Sequence, residues 1–205
     1  LAKKLRDHAT PVVFLDSNPQ SARQAEEEGF KVVFGNAIQE RTLSRAQFHQ
    51  VKAVVALTAN PELNGVFAER ARAVFGVPSA YLAMLPGYEG LSREMVGLGD
   101  AKAAFDGPHD LERWEVRGRR SEIVLEDWVF REAASAAPDA EAAVADSEER
   151  YLVLCVRRAG KVEVMSADFA PREEDVLTVM IYTGSKDEAR EHLSQRGFEP
   201  FPDDE

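Results

Sequence analysis

Four short apolar runs in this 205-residue chain end in polar residues, and those endings are where chemistry could sit. Residues 12–15 end at Asp16, with Ser17 beside it. Residues 32–34 run into Gly35-Asn36-Ala37, residues 53–57 into Thr58-Ala59-Asn60, and residues 80–84 into Pro86-Gly87. In open parallel sheets, ligands bind beyond the carboxyl ends of the strands. An acid closing a strand of a dinucleotide fold accepts hydrogen bonds from the adenosine ribose hydroxyls. It also repels a 2′-phosphate, which favours NAD-type over NADP-type ligands. Asp16 suits that role, and it suits equally that of an acid at a helix start. Gly35 and Ala37 allow close approach of a flat base whose edge the Asn36 amide could bond, although Gly-Asn is also a turn dipeptide. Thr58 and Ala59 could line the ribose-phosphate side, or simply begin a capped helix. Asn64, one turn further on, could face the cleft or solvent.

The elements that must position these residues follow from periodicity. Short apolar runs separated by helical segments read as buried parallel strands. Asn18-Pro19 and Asn60-Pro61 are cap-plus-proline helix starts, and Gly29 and Gly76 are helix stops. The helix over residues 61–75 places Leu63, Val66, Phe67, Ala71 and Val74 on one stripe. A weaker helix over about residues 90–98 and a strand over 102–105 finish the layer. Residues 111–117 and 122–129 then alternate around Gly118 and predict a hairpin. Residues 132–149 hold many acids and alanines, an acidic helix or a linker. The last segment reads β-β-β-α-β, with strands over 151–157, 161–165 and 176–182, a helix over 186–195 and an edge strand over 198–201. The start of the chain has no Met, and Leu1-Ala2-Lys3-Lys4-Leu5 reads as the middle of a helix. This predicts a chain cut just after a first strand and its turn.

Bulk properties exclude several classes. A net charge of -11 argues against a nucleic-acid partner. The basic cluster Arg113, Arg117, Arg119 and Arg120 is flanked by acids and reads as a solvated face. The single cysteine, Cys155, lies in an apolar run and reads as a buried thiol rather than a nucleophile. No apolar run approaches the roughly 20 residues that span a bilayer. The four histidines are scattered without metal-ligand spacing, and no Walker, zinc or nucleophile-elbow pattern is present. No catalytic set emerges, and none is expected.

Residues 1–84 resemble the TrkA-N family, also called RCK or KTN domains. The resemblance rests on VVFLDSNP, EEEGFKVVFGNA, AVVALTANPELN and ERARAVFGVPSAYLAML, in that order. Such domains regulate bacterial potassium channels, Trk/Ktr uptake systems and cation/proton antiporters. The resemblance implies that Asp16 holds a ribose, that Asn36 and Ala37 lie against an adenine, and that Thr58, Ala59 and Asn64 line the cleft. The family's Gly-x-Gly-x-x-Gly loop, which cradles phosphates, is not in the sequence and would lie just before Leu1. Many members carry Asp where this chain has Asn36. Residues 150–201 resemble the TrkA-C module in YLVLCVRRAGKVEVM and APREEDVLTVMI, with Glu174 where that pattern has Gly.

The expected fold is therefore α/β: a Rossmann-like parallel sheet without its first strand and Gly-rich loop, followed by a smaller α+β domain. The expected domains are 1–106, a hairpin and acidic linker over 107–149, and 150–205. The expected function is a regulatory domain at the cytoplasmic face of a membrane transport protein, most of all a cation/proton antiporter. It would bind NAD(H), AMP or ATP, or be empty in this chain, and gate transport without catalysis. It would pair as a homodimer or higher ring and contact a membrane transporter domain, with no nucleic acid. The alternatives are a fragment of an NAD-dependent oxidoreductase and a subunit or ring of a potassium channel or uptake system.

Overall fold

A computed structural model describes residues 1–87, 99–131 and 150–202. The helix expected over 90–98 and the acidic stretch 132–149 fall outside the described residues. The chain divides into two compact units, Leu1–Leu82 with Leu91–Lys102, and Ala83–Gly90 with Ala103–Glu205.

The first unit alternates helix and strand: α1 (Ala2–Asp7), β1 (Val13–Asp16), α2 (Pro19–Glu27), β2 (Lys31–Phe34), α3 (Glu40–Arg45), β3 (Ala53–Ala56), α4 (Pro61–Phe75) and β4 (Ser79–Leu82). The helix starts are those the sequence predicts. Asn18 Oδ1 accepts the Gln20 N–H at 2.9 Å and Asn60 Oδ1 accepts the Leu63 N–H at 2.9 Å, with proline in the first turn of each helix. Gly76 ends α4 in the left-handed conformation, φ 67°.

The strands pair in parallel, as expected of an α/β fold: β1 with β2, and β3 with β4, with β5 (Lys102–Ala103) third in the latter sheet. Among the described residues the two sheets share no hydrogen-bonded pair; a doubly wound order would set a further strand between them. Uniform burial of the strands is not what forms. Ala80, Tyr81 and Leu82 of β4 are buried, whereas β1 is half-buried along its length. The reason is local: among the described residues β1 pairs only with β2. The α4 stripe is also shifted. Asn64, Ala68 and Ala71 face the core, while Val66 and Val74 are 49% and 57% exposed. Small residues bring α4 close to β3 and β4, and Phe67 and Phe75 turn edge-on to the buried Phe48, with centroids 5.8 and 5.6 Å away.

The second unit holds α5 (Leu111–Arg119), β6 (Ile123–Phe130), β7 (Tyr151–Arg158), β8 (Lys161–Val164), β9 (Val176–Tyr182), α6 (Lys186–Gln195) and β10 (Phe198–Pro200). Its five strands form an antiparallel sheet in the order β10-β6-β9-β7-β8. The β-β-β-α-β reading of the last segment is what forms, and the hairpin around Gly118 is not. Asp110 caps a helix by accepting the Arg113 N–H, and Leu111 and Trp114 stand three residues apart, a helical rather than strand spacing. Only β6 of the expected pair is a strand, and it joins β9 and β10. Ala159 and Gly160, both at positive φ (49° and 78°), make the tight β7–β8 turn. One face of the sheet buries Trp128, Tyr151, Leu177, Val179 and Ile181 against Ala189 and Leu193 of α6. Cys155 is buried, as its apolar run predicts.

Two buried carboxylates anchor loops to this sheet. β8 pairs with β7 only from Cys155 onward. Ahead of that point, the Val153 N–H donates to Asp106 Oδ1 at 2.9 Å, and the same oxygen meets His109 Nε2 at 3.0 Å. Burial pushes the Asp106 carboxyl pKa up, but the charge and hydrogen bond of His109 together with the Val153 N–H carry it below the usual value. Asp175, 1% exposed, takes Arg158 through both oxygens, at 2.7 and 2.5 Å, and the Arg172 N–H at 2.7 Å. These contacts likewise overcome burial and lower its pKa. Just before it, Glu174 stands at φ 68°, the left-handed conformation that glycine adopts most easily.

Two outcomes are expected. A carboxyl with a lowered folded pKa contributes stability that is full above its unfolded value of about 3.9 and is lost as pH falls through the lower folded value. Asp106→Asn should therefore cost about 1–3 kcal/mol near neutral pH, and urea unfolding should show the gap to wild type narrowing at pH about 3. Glu174→Gly should raise the thermal midpoint, because relief of a left-handed non-glycine residue, about 1 kcal/mol, outweighs loss of an exposed ion pair with Arg131.

Candidate functional site

The strand ends place the expected residues in two groups. The first is built by the β1–β2 pair, whose register sets Asp16 beside Phe34. The Gly35 N–H donates to the Asp16 carbonyl at 2.9 Å, tying the two ends together. The Asp16 carboxylate spends Oδ1 on the Asn18 N–H at 2.7 Å. That bond closes a turn just ahead of α2, whose cap is Asn18 and not Asp16, and it holds the carboxylate in place with Oδ2 unpartnered among the described residues. Ser17 is exposed next to it. Gly35 is required: its φ is 151°, and a Cβ there would lie 2.9 Å from Thr42 Oγ1. Asn36 is exposed; its Oδ1 accepts the Ile38 N–H at 3.0 Å, which leaves its amide nitrogen to donate to a ligand. Ala37 is half-buried in the same turn.

The second group follows β3. Thr58, Ala59 and Asn60 are exposed. Asn64 does not face an open cleft: it is 1% exposed and its amide is used up. Asn64 Oδ1 accepts the Thr58 hydroxyl at 2.6 Å and the Thr58 N–H at 3.1 Å, while Nδ2 donates to the Thr58 carbonyl at 2.9 Å. A polar side chain at this depth is tolerated because each of its bonds closes on one residue. Asn64 is thus the clamp of the β3–α4 loop, and Thr58 is what it presents. No hydrogen bond among the described residues joins the two groups.

Sequence reasoning passed over two residues here. Phe34 and Leu57, placed within strands by their apolar runs, are 51% and 44% exposed at the same strand ends. The available signal was that each run outlasts the strand's need for core residues, leaving an apolar group beside the polar ones. Such a mixture suits a flat, partly apolar ligand with hydroxyl groups. Metal chemistry has no counterpart: among the described residues no three His, Cys, Asp or Glu side chains are grouped to hold an ion. His8 and His49 are exposed, while His109 and His192 are buried in the second unit. Three arginines of the Arg113–Arg120 cluster are engaged: Arg113 pairs with Asp110, Arg119 with Glu115, and the Arg117 guanidinium lies 4.9 and 3.9 Å from the ring centroids of Trp114 and Tyr182.

Residues 1–84 match the family model described as TrkA-N domain. The matched span covers α1 to β4, and so every strand end described above. A protein of Methanocaldococcus jannaschii, itself uncharacterized, is 31% identical over 85 residues, covering 36% of this chain and 18% of that protein's length. Among solved structures, the TrkA-N domain of inner membrane protein ybaL from Escherichia coli aligns at 20% identity over 58% of this chain and 83% of that one, with a TM-score of 0.44. The GsuK channel bound to NAD aligns at 16% identity over all of this chain and 38% of that one, with a TM-score of 0.42. The assignment of residues 1–84 rests on the TrkA-N match. No helix among the described residues is long and apolar enough to cross a membrane.

The clamp generates a test. Asn64→Ala leaves the Thr58 N–H and carbonyl without their partners, and should cost about 1–3 kcal/mol in urea unfolding. Hydrogen exchange should show loss of protection at the Thr58 amide, while that of β1 is unchanged.

Proposed function

We propose that this chain is a nucleotide-binding regulatory domain of a cation transport system, most of all a cation/proton antiporter. One observation carries the binding reading. Within the TrkA-N-matching residues, Asp16 closes a parallel strand with its carboxylate fixed by the Asn18 N–H and its second oxygen unpartnered among the described residues, near the exposed Asn36 and the apolar Phe34. A carboxylate so held accepts two ribose hydroxyls without first having to be ordered. A 2′-phosphate would meet its negative charge, so NAD(H), AMP or ATP is favoured over NADP(H). Ser17, Ala37, Thr58 and Ala59 complete the ligand-facing set, and Asn64 serves it indirectly by holding Thr58.

Regulation rather than turnover suits the polar groups available. They are a carboxylate, an amide and the hydroxyls of Ser17 and Thr58, with no activated nucleophile, acid–base pair or metal set among them. A ligand with different affinity for two conformations shifts their populations, and this is all that gating of an attached transporter requires. The antiporter assignment, the homodimer or ring, the transporter domain and a place at the cytoplasmic face belong to the same proposal. The second unit is proposed to be the TrkA-C-like module. Its β7–β8 hairpin and the turn into β9 follow the resembled order, and Glu174 holds the left-handed backbone where that pattern carries Gly.

The test is calorimetric titration of NAD, NADP, AMP and ATP into the protein and into Asp16→Ala. The 2′-unphosphorylated nucleotides should bind more tightly than NADP, and the substitution should weaken them at least several-fold. Unchanged affinity would remove Asp16 from the site. A substrate-dependent change in nicotinamide absorbance would promote the oxidoreductase alternative instead.

A further inference from the structure

The second unit carries a buried polar network that the nucleotide site does not use. Tyr151 opens β7 and is fully buried. Its hydroxyl lies 3.0 Å from Nδ1 of the buried His192 on α6, and accepts Arg196 Nη1, also at 3.0 Å. Donors and acceptors can be counted here. Arginine only donates, so the phenol oxygen is an acceptor toward Arg196. The single phenol hydrogen then goes to a different acceptor, and among the described residues His192 Nδ1 is the one in reach. An imidazole that accepts at Nδ1 is neutral.

The surroundings reinforce that state. Burial, with the charge of Asp106 next, pushes the Tyr151 hydroxyl up to about 12, so it remains a phenol with a hydrogen to give. β7 brings Tyr151, with Arg150 just before it. α6 brings Glu188 one turn before His192, and Arg196 follows one turn after. Glu188 is spent on Arg150 at 3.1 Å. From the strands packed against α6, Glu126 of β6 is held by Lys186 and Arg190 of the helix, Tyr182 of β9 is stacked on Arg117, and Glu199 of β10 pairs with Arg131. The helix C-terminus favours a cation at His192, but a proton there would face the Arg196 guanidinium and turn the acceptor that the phenol hydrogen has among the described residues into a donor.

We infer that the Tyr151–His192–Arg196 network is a proton-sensitive latch between α6 and the sheet, closed while His192 is neutral and loosened when acidification protonates it. The sign follows from linkage. A histidine held neutral in the fold binds its proton more readily when unfolded, so the second unit loses stability as pH falls through about 6.5. The window is neutral to mildly acidic, well above the one in which Asp106 and Asp175 titrate. A domain that gates a cation/proton antiporter would thereby sense the proton directly. The latch itself stands whether or not the nucleotide reading holds.

The test is a proton NMR titration of His192, with thermal unfolding followed from pH about 7.5 to 5. His192 should titrate at least one unit below the about 6.5 of a free imidazole, and Tyr151→Phe should move it back up. The wild-type thermal midpoint should fall over that range. His192→Asn, whose amide oxygen replaces the Nδ1 acceptor and cannot be protonated, should show a flatter profile. A His192 titration at or above the free value would overturn the inference without recourse to any variant. So would parallel wild-type and His192→Asn profiles.

Discussion

Backbone hydrogen-bonding groups that run out of strand partners govern both units. Each N–H and C=O at a strand end or sheet edge needs a partner once water is removed. At the ends of β1, β2 and β3 the partners are the polar side chains that the sequence places there. Asp16 takes the Asn18 N–H, Asn36 takes the Ile38 N–H, and Asn64 takes both backbone groups of Thr58. What is left over defines the candidate site: one carboxylate oxygen, one amide nitrogen, and a hydroxyl already held by the clamp. The site is thus preorganised by the same bonds that terminate the strands, and only part of each polar side chain is available to a ligand.

The same requirement shapes the second unit. Where β8 stops along β7, the Asp106 carboxylate takes the Val153 N–H, and a buried charge enters an otherwise apolar region. His109 beside it offsets the cost of burying that charge. Asp175 solves a similar problem before β9 with Arg158. Both are carboxylates whose contacts overcome burial, so both belong to the stability lost in acid. The Tyr151 hydroxyl, inside the same core, extends this polar thread to α6 and brings histidine chemistry into it. The sheet-and-helix layer thus carries carboxylates tied to their ionised form at Asp106, Asp175 and Glu126, the last through Arg190 and Lys186 of α6.

Much of this was legible in the chain. The helix–strand alternation of the first unit, the two Asn-Pro helix starts, the Gly76 stop and the β-β-β-α-β order of the last segment follow from local periodicity and capping, which act within a few residues. The TrkA-N match over residues 1–84 agrees with the resemblance read from the strand-end residues. The reading of residues 111–129 as a hairpin shows where local pattern fails. Leu111, Trp114 and Val116 fit two periods over so short a span, and the Asp110 cap together with burial of Trp114 decides for the helix. Asn64 is the corresponding case at the site. Its type suits a cleft, but its depth depends on how closely α4 settles on β3.

The sequence by itself determined which residues end the strands and start the helices, because capping, turn chemistry and hydrophobic period are short-range. It likewise determined that Asp16 and Asn36 stand at strand ends, with Gly35 free of the Cβ that would strike Thr42. Only the tertiary structure decided which atoms of those residues remain available, that Phe34 and Leu57 are exposed, and that β1 and β3 lie in separate sheets. It alone brought Asp106 to Val153 and Tyr151 to His192 across 47 and 41 residues of chain. Those contacts depend on packing between distant segments and on the count of donors and acceptors left after the sheets have formed, and neither quantity exists until the chain is folded.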